Sequence, residues 1–281
     1  MLTDPQHRAT PATELGQHGR DAGTLRGVHP FDIAERRSWT GRAQAYADTF
    51  ARLCAYPVPA LLDAVRPVTR LLDVGCGPGT VAKAAYDVHV TSVDAAPDMV
   101  AFAGGACVAA LPALPFRDNE FDAVTANFVL NHVSSPRAAL AELRRVARGR
   151  VALTIWAAPA AEGQTLLGRA VQAAGVERPA HLPTLDPDED FPRTEDGLAT
   201  LLTEAGFAAA TCRTLNWNHR TTGDEWGQGP AAGVATIGQI VAGQPTEVRA
   251  RIRRHYESLC EPEPDGTLVL PHRALLAHGR A

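Results

Sequence analysis

Two carboxylates and three glycines are spaced to hold a nucleotide-like ligand. The stretch Arg70 to Thr80 reads R-L-L-D-V-G-C-G-P-G-T. Leu71, Leu72 and Val74 are apolar enough for a short buried parallel strand. Gly75, Gly77 and Gly79 then open the chain into a turn, and a helix is expected from Thr80. Such a turn lets a ligand approach bare backbone, where N–H groups at a helix start still lack partners. Asp94 lies 21 residues beyond Asp73 and ends a second apolar run, Val88 to Val93. An acid at that distance is placed to take both hydroxyls of a ribose.

Two nucleotide chemistries use this arrangement. The dinucleotide fingerprint is G-x-G-x-x-G, with the pyrophosphate on the helix N-terminus. Here the spacing is G-x-G-x-G, the third residue after Gly77 is Thr80, and Asp73 sits two residues before the first glycine. A carboxylate there repels a pyrophosphate and suits an amino-acid ammonium. The ligand that joins a ribose, an adenine and an ammonium is S-adenosylmethionine. At these residues the sequence resembles the class I S-adenosylmethionine-dependent methyltransferases, whose first motif is an acidic residue followed by G-x-G-x-G.

The elements that must position these residues follow from periodicity. Residues 1–28 are polar, without apolar period, and read as a disordered leader. From Ser38, the residues Trp39, Ala43, Tyr46, Phe50 and Leu53 recur at helical spacing until Pro57 and Pro59. Val58, Leu61, Leu62 and Val65 make a shorter stripe that stops at Pro67. These helices precede the first strand, so they are expected to cover it or its mouth. Beyond Asp94, Pro97 opens a helix through Met99 to Phe102, and Cys107 to Ala109 is a weak third strand. Phe121 to Asn127 is a fourth strand. Ser135 and Pro136 start a helix in which Leu140, Leu143 and Val146 face inward while Glu142, Arg144 and Arg145 face water. Val151 to Trp156 is a fifth strand. Strands alternating with helices in this way argue for an α/β fold with a parallel sheet covered on both faces.

Residues 157–174 continue helically, and Arg178 to Arg193 is a loop rich in Pro and Asp. Thr194 caps a helix that ends at Gly206. Phe207 to Thr214 is expected as a sixth strand and Ala274 to Gly279 as the last. Between these two, Val234, Ile237 and Val241, then Val248, Ile252, Tyr256 and Leu259, mark two helical patterns. The division expected is a leader over 1–28, an N-terminal helical cap over 29–69, a core of 70–214 with 274–281, and a helical insert over 215–273 that covers the substrate.

The resemblance runs from about Trp39 to the end of the chain and is strongest from Arg70 to Trp156. It is closest to the small-molecule branch, which includes the ubiquinone and menaquinone C-methyltransferases and many natural-product enzymes. It implies a Rossmann-like, doubly wound, seven-stranded sheet of order 3-2-1-4-5-7-6 with the last strand antiparallel. By the same resemblance, Asp73 matches the acid that holds the methionine ammonium, often through water. Gly75, Gly77 and Gly79 match the loop around the methionyl and ribose groups, and Asp94 matches the ribose acid. Met99 matches an apolar residue that packs on the adenine. Asn127 matches the residue that ends strand four beside the cofactor, His132 sits in the helix that follows, and Tyr46 matches an N-terminal tyrosine that reaches the cofactor. Leu114-Pro115-Phe116 and Phe121-Asp122 match the family's L-P-F…F-D landmark. One departure stands out. Where the family has Gly-Asp-Ala before that landmark, this chain has Ala109-Ala110-Leu111, so the carboxylate that accepts from the adenine amino group is missing. The backbone at Ala110 and Leu111 is left to bond the adenine edge, and losing one such contact costs about 1–3 kcal/mol.

The function this implies is transfer of the methyl group of S-adenosylmethionine to a small apolar or aromatic metabolite by in-line displacement. The alternative is a protein of the same fold that binds S-adenosylmethionine for a non-methylating reaction or as a binding module. His132 is the candidate catalytic base. Trp156, Trp217, His219 and Trp226 are candidates to wall a substrate pocket. Composition bounds the rest. The 281 residues carry a formal net charge of −4, which offers no basic field for RNA or DNA, so no nucleic-acid partner is expected. Cys54, Cys76, Cys107, Cys212 and Cys260 are never spaced C-x-x-C, a reduced, cytoplasmic pattern in which no metal is expected. No apolar run reaches the ~18 residues of a membrane span. Whether the chain is a monomer or a homodimer is left open.

Overall fold

The computed structural model describes residues 29–182 and 184–281, and the leader read over residues 1–28 lies outside them. Helices α1 (Pro30–Trp39), α2 (Ala43–Asp48), α3 (Phe50–Cys54) and α4 (Val58–Val65) come first. Strand β1 (Arg70–Val74) leads through α5 (Thr80–Ala84) to β2 (His89–Asp94), then α6 (Pro97–Ala103), the short β3 (Cys107–Val108) and β4 (Phe121–Asn127). Helix α7 (Pro136–Val146) runs directly into β5 (Ala147–Trp156), followed by α8 (Glu162–Ala173) and α9 (Glu195–Glu204). Strand β6 (Ala208–Thr221) leads into α10 (Gly223–Ala231), α11 (Ala235–Ala242) and α12 (Thr246–Leu259) before β7 (Leu268–Arg280) closes the sheet.

The sheet order is β3-β2-β1-β4-β5-β7-β6. Strands β1 to β5 pair in parallel, and β7 lies antiparallel to both β5 and β6. This is the doubly wound, Rossmann-like arrangement with a helical insert before the last strand. Successive residues of β1 point to opposite faces, as a strand requires. Leu71 packs with Val58, Leu61 and Leu62 of α4 and Val81 of α5 on one face. Leu72 packs with Leu140 and Leu143 of α7 and Leu198 and Leu202 of α9 on the other. Each of these leucines is worth roughly 2–5 kcal/mol against truncation to alanine. The central strands are therefore fixed from both sides, and only their C-terminal ends are free to form a site.

Four local expectations are corrected. The first helix starts at Pro30, not Ser38, because Pro30 takes the first position and the His29 ring caps Phe31 N–H. The single stripe from Trp39 to Leu53 is divided by Gly41, at φ +75°, and by Thr49, at φ −124° and ψ −93°. Glu142 does not face water. It is buried, its Oε1 accepts from Leu114 N–H at 2.6 Å, and Arg145 Nε donates to its Oε2 at 2.7 Å. Buried carboxylates persist when paired in this way, and this pair pins the Leu114-Pro115-Phe116 loop.

The last correction concerns β6 and β7, which were expected to span Phe207–Thr214 and Ala274–Gly279. Their pairing continues from Leu215 opposite Ala274 to Thr221 opposite Leu268. Trp217, His219 and Thr221 turn inward while Asn216, Asn218 and Arg220 turn out. That is the period-two pattern of a half-buried strand, written in polar and aromatic residues rather than in valine and isoleucine. The extended ribbon carries α10, α11 and α12 over the C-terminal edge of the sheet. Helix α10 starts on a capping box, Thr222 with Glu225, that the apolar stripe does not reveal.

Candidate active site

A cavity of about 660 Å³ opens at the C-terminal ends of β1, β2, β4 and β5. Its floor is Val74, Gly75 and Gly77, with Asp94 and Asn127 at the ends of neighbouring strands. Its roof is Glu35 and Trp39 of α1, Tyr46 of α2 and Phe50 of α3. Two carboxylates hold that roof down. Asp32 accepts from Ser134 N–H and Ser134 Oγ, each at 2.7 Å, which ties α1 to the turn after β4. Asp98 Oδ2 accepts from Gly41 and Arg42 N–H at 2.8 and 3.2 Å, which ties the α1–α2 turn to α6.

The glycine turn is backbone brought up against side chains. Gly75 and Gly77 have φ of +68° and +52°, a region that costs a side chain strain. A Cβ at Gly75 would overlap the Val129 side chain, and one at Gly77 would lie 3.3 Å from the Tyr46 ring. Asp94 fixes the turn: its Oδ2 accepts from Gly77 N–H and its Oδ1 from Ala96 N–H, both at 2.9 Å. Burial raises its pKa and these two bonds oppose the rise. Ionised, it keeps lone pairs free on the cavity side.

Most of the residues singled out from sequence meet here. Gly75, Gly77, Asp94, Met99, Ala110, Leu111, Asn127, Tyr46 and His132 all line the cavity. Met99 is buried against Ala43, Ala96, Trp39 and Tyr46. Both ends of the Asn127 amide are occupied, since Nδ2 donates to Cys54 C=O at 2.9 Å and Oδ1 accepts from Thr154 Oγ1 at 2.7 Å. Asn127 thus joins α3 to the C-terminal ends of β4 and β5. Asp73 and Gly79 are not on the cavity wall. Gly79 precedes α5, and Asp73 is buried one layer down, where its Oδ1 accepts from Thr125 Oγ1 at 3.1 Å and its Oδ2 has no partner. Burial pushes the Asp73 carboxyl up to about 7.

Three features escaped the sequence reading. The first is Glu35, whose Oε2 lies 2.7 Å from His132 Nδ1, with the Trp39 ring edge-on to the imidazole at 5.1 Å. Asp32 and Glu35 sit three apart on α1, so an i, i+3 acidic pair was the available signal. The second is His272 of β7, a buried wall residue hidden in what looked like insert. The third is the aromatic pairing around the wall. Trp156 stacks on Phe128 at 4.2 Å, and Trp226 leans on Phe50 at 4.8 Å. Trp156 and Trp226 reach the cavity; Trp217 and His219 stand behind them. Among the described residues, no group of three or more His, Cys, Asp or Glu is arranged to hold a metal ion.

A family model described as a methyltransferase domain matches residues 72–154. The chain is 34% identical over 182 residues to the demethylmenaquinone methyltransferase of Beutenbergia cavernae, a match that covers 56% of this chain and 73% of that protein. The chain belongs to the class I S-adenosylmethionine-dependent methyltransferases. It is also 38% identical over 99 residues to the 2-phytyl-1,4-naphtoquinone methyltransferase of Synechocystis sp., covering 29% of this chain and 42% of that one. The solved structure of the YcgJ protein of Bacillus subtilis shares the fold, at a TM-score of 0.50 and 21% identity over 80% of this chain and 97% of that one. Membership makes this an S-adenosylmethionine-dependent methyltransferase. Among the described residues, no helix of this methyltransferase is long and apolar enough to cross a membrane.

Proposed function

We propose that S-adenosylmethionine lies across the turn between β1 and α5, and that its methyl group passes to a small apolar or aromatic acceptor in the other half of the cavity. The observation that carries this reading is Asp94. One carboxylate organises the glycine turn through Gly77 N–H and Ala96 N–H and still faces the cavity, where a ribose diol would meet it. The residues fit the nucleoside in three further respects. Gly77 leaves a space that a Cβ would take against Tyr46. The orphaned Oδ2 of buried Asp73 matches an ammonium held nearby, at one remove from the wall. Met99, Ala110 and Leu111 supply an apolar slot for a flat base, with backbone groups in place of the missing acid.

The bound sulfonium supplies an activated methyl group. The protein's task is then to orient, which contributes roughly 7–11 kcal/mol when two groups are held in line. The walls do this by excluding water and fixing the acceptor's approach. His132 handles the proton: Glu35 engages Nδ1 and leaves Nε2 to take a proton from an acceptor hydroxyl or N–H. The apolar wall and the net charge of −4 support a small molecule rather than a nucleic acid as acceptor. Isothermal titration with S-adenosylhomocysteine tests the placement. Wild type binds, and Asp94→Ala binds at least tenfold more weakly; equal affinity would contradict it.

A further inference from the structure

His272 sits on β7 at the far wall of the cavity from the glycine turn, and its imidazole is nearly sealed in protein, at 2% exposure. Its ring centroid lies 6.1, 6.0 and 6.1 Å from the rings of Trp156, Trp217 and Trp226. The one titratable neighbour among these ring contacts is His219, edge-on at 6.1 Å. Burial among the rings outweighs the Leu270 C=O bond, which by itself favours an imidazolium, and pushes the His272 pKa down to about 4. The neutral ring carries one proton, and Nδ1 lies 2.8 Å from Leu270 C=O, a group that can only accept. The proton is therefore on Nδ1, and Nε2 is a fixed lone pair. No hydrogen bond to the chain reaches Nε2 among the described residues. Gln164, a polar neighbour on the same wall, has its Oε1 committed to Ala161 N–H and Arg273 N–H, each at 2.9 Å.

We propose that His272 recognises the methyl acceptor, its Nε2 accepting a hydrogen bond from a hydroxyl or N–H on a planar aromatic ring seated among Phe50, Phe128, Trp156 and Trp226. This rests on reading the cavity as the site of methyl transfer. The Phe128–Trp156 and Phe50–Trp226 pairs supply flat apolar surface for such a ring. The tautomer supplies selectivity. An aromatic molecule without a donor would seal the lone pair away from water unpaired, which costs more than the bond itself contributes. Sites built to meet a donor reject analogues that lack it far more strongly than apolar pockets sort by size. The role differs from that of His132, whose Nδ1 is engaged by a carboxylate and which stands at the opposite rim.

The test compares 2-naphthol, 2-methoxynaphthalene and naphthalene by titration calorimetry on the protein saturated with S-adenosylhomocysteine. In wild type, 2-naphthol binds at least tenfold tighter than the other two. In His272→Phe that advantage falls to within threefold, naphthalene still binds, and S-adenosylhomocysteine affinity stays within twofold. His272→Leu serves if the phenylalanine variant does not fold. Equal affinity of the three probes in wild type, no binding of any of them, or a preference for 2-naphthol that survives both substitutions would each overturn the proposal. Failure of S-adenosylhomocysteine to bind wild type would strike instead at the reading of the cavity.

Discussion

Around Gly75 and Gly77 the cavity wall is backbone held in place by one carboxylate. Around Trp156, Trp226 and His272 it is side chains brought together from β5, α10 and β7. The first half offers little room for change, since each added Cβ meets Val129 or Tyr46. The second can be rewritten residue by residue without moving the central strands. The glycine end is fixed by chain geometry, and the aromatic end by the side chains that α10 and the last strand present; under the proposed function the first would hold the nucleoside and the second the acceptor.

The sharpest way to separate the halves is His132→Ala. Once an acceptor is identified by mass spectrometry of methylated products, kcat falls about 10²–10⁴-fold while S-adenosylhomocysteine affinity is unchanged. An unchanged kcat would remove the base role. Glu35→Gln gives a smaller loss in the same direction, because it removes the negative charge beside Nδ1 while leaving an acceptor oxygen and the ring.

The next effect falls on stability. Burial holds the folded Asp73 carboxyl at a pKa of about 7, above the ordinary aspartate value of 3.8. Between these values the folded chain keeps a proton that the unfolded chain has lost, so stability declines as pH rises from about 4 to about 7 and stays low above that. Asp73→Asn removes the decline. Urea midpoints of the free enzyme therefore match at pH 4, and the variant is the more stable by a few kcal/mol at pH 8. Because the charged form is the one that suits an ammonium, the variant also binds S-adenosylhomocysteine more weakly. Variants and wild type tracking together from pH 4 to pH 8 would show that Asp73 is not held in an unpaired, buried state.

The glycine half of the cavity was legible because its signals are local. Asp73, Gly75 and Gly77 lie within five residues, and Asp94 ends the very next strand, so strand, turn and acid could be read in one pass. The same locality made the alternation of helices and strands from β1 to β5 readable, while their order in the sheet came from the family resemblance alone. The rest of the cavity was not legible because its partners are remote. Glu35 and His132 meet across 97 positions. His272 reaches the cavity only because β6 and β7 run longer than their apolar blocks, through residues such as Asn216, His219 and Arg273 that disguise the strand. Asp73 shows a different limit. Its place in the motif was plain, but its burial beneath the wall depends on Thr125 of a strand that is neighbouring in space only.

The central claim is best tested by a crystal structure of the enzyme with S-adenosylhomocysteine. The account predicts the ribose hydroxyls on the Asp94 carboxylate and the adenine between Met99 and the Ala110–Leu111 backbone. A nucleoside bound anywhere other than the turn after β1, or one whose sugar makes no contact with Asp94, would contradict it.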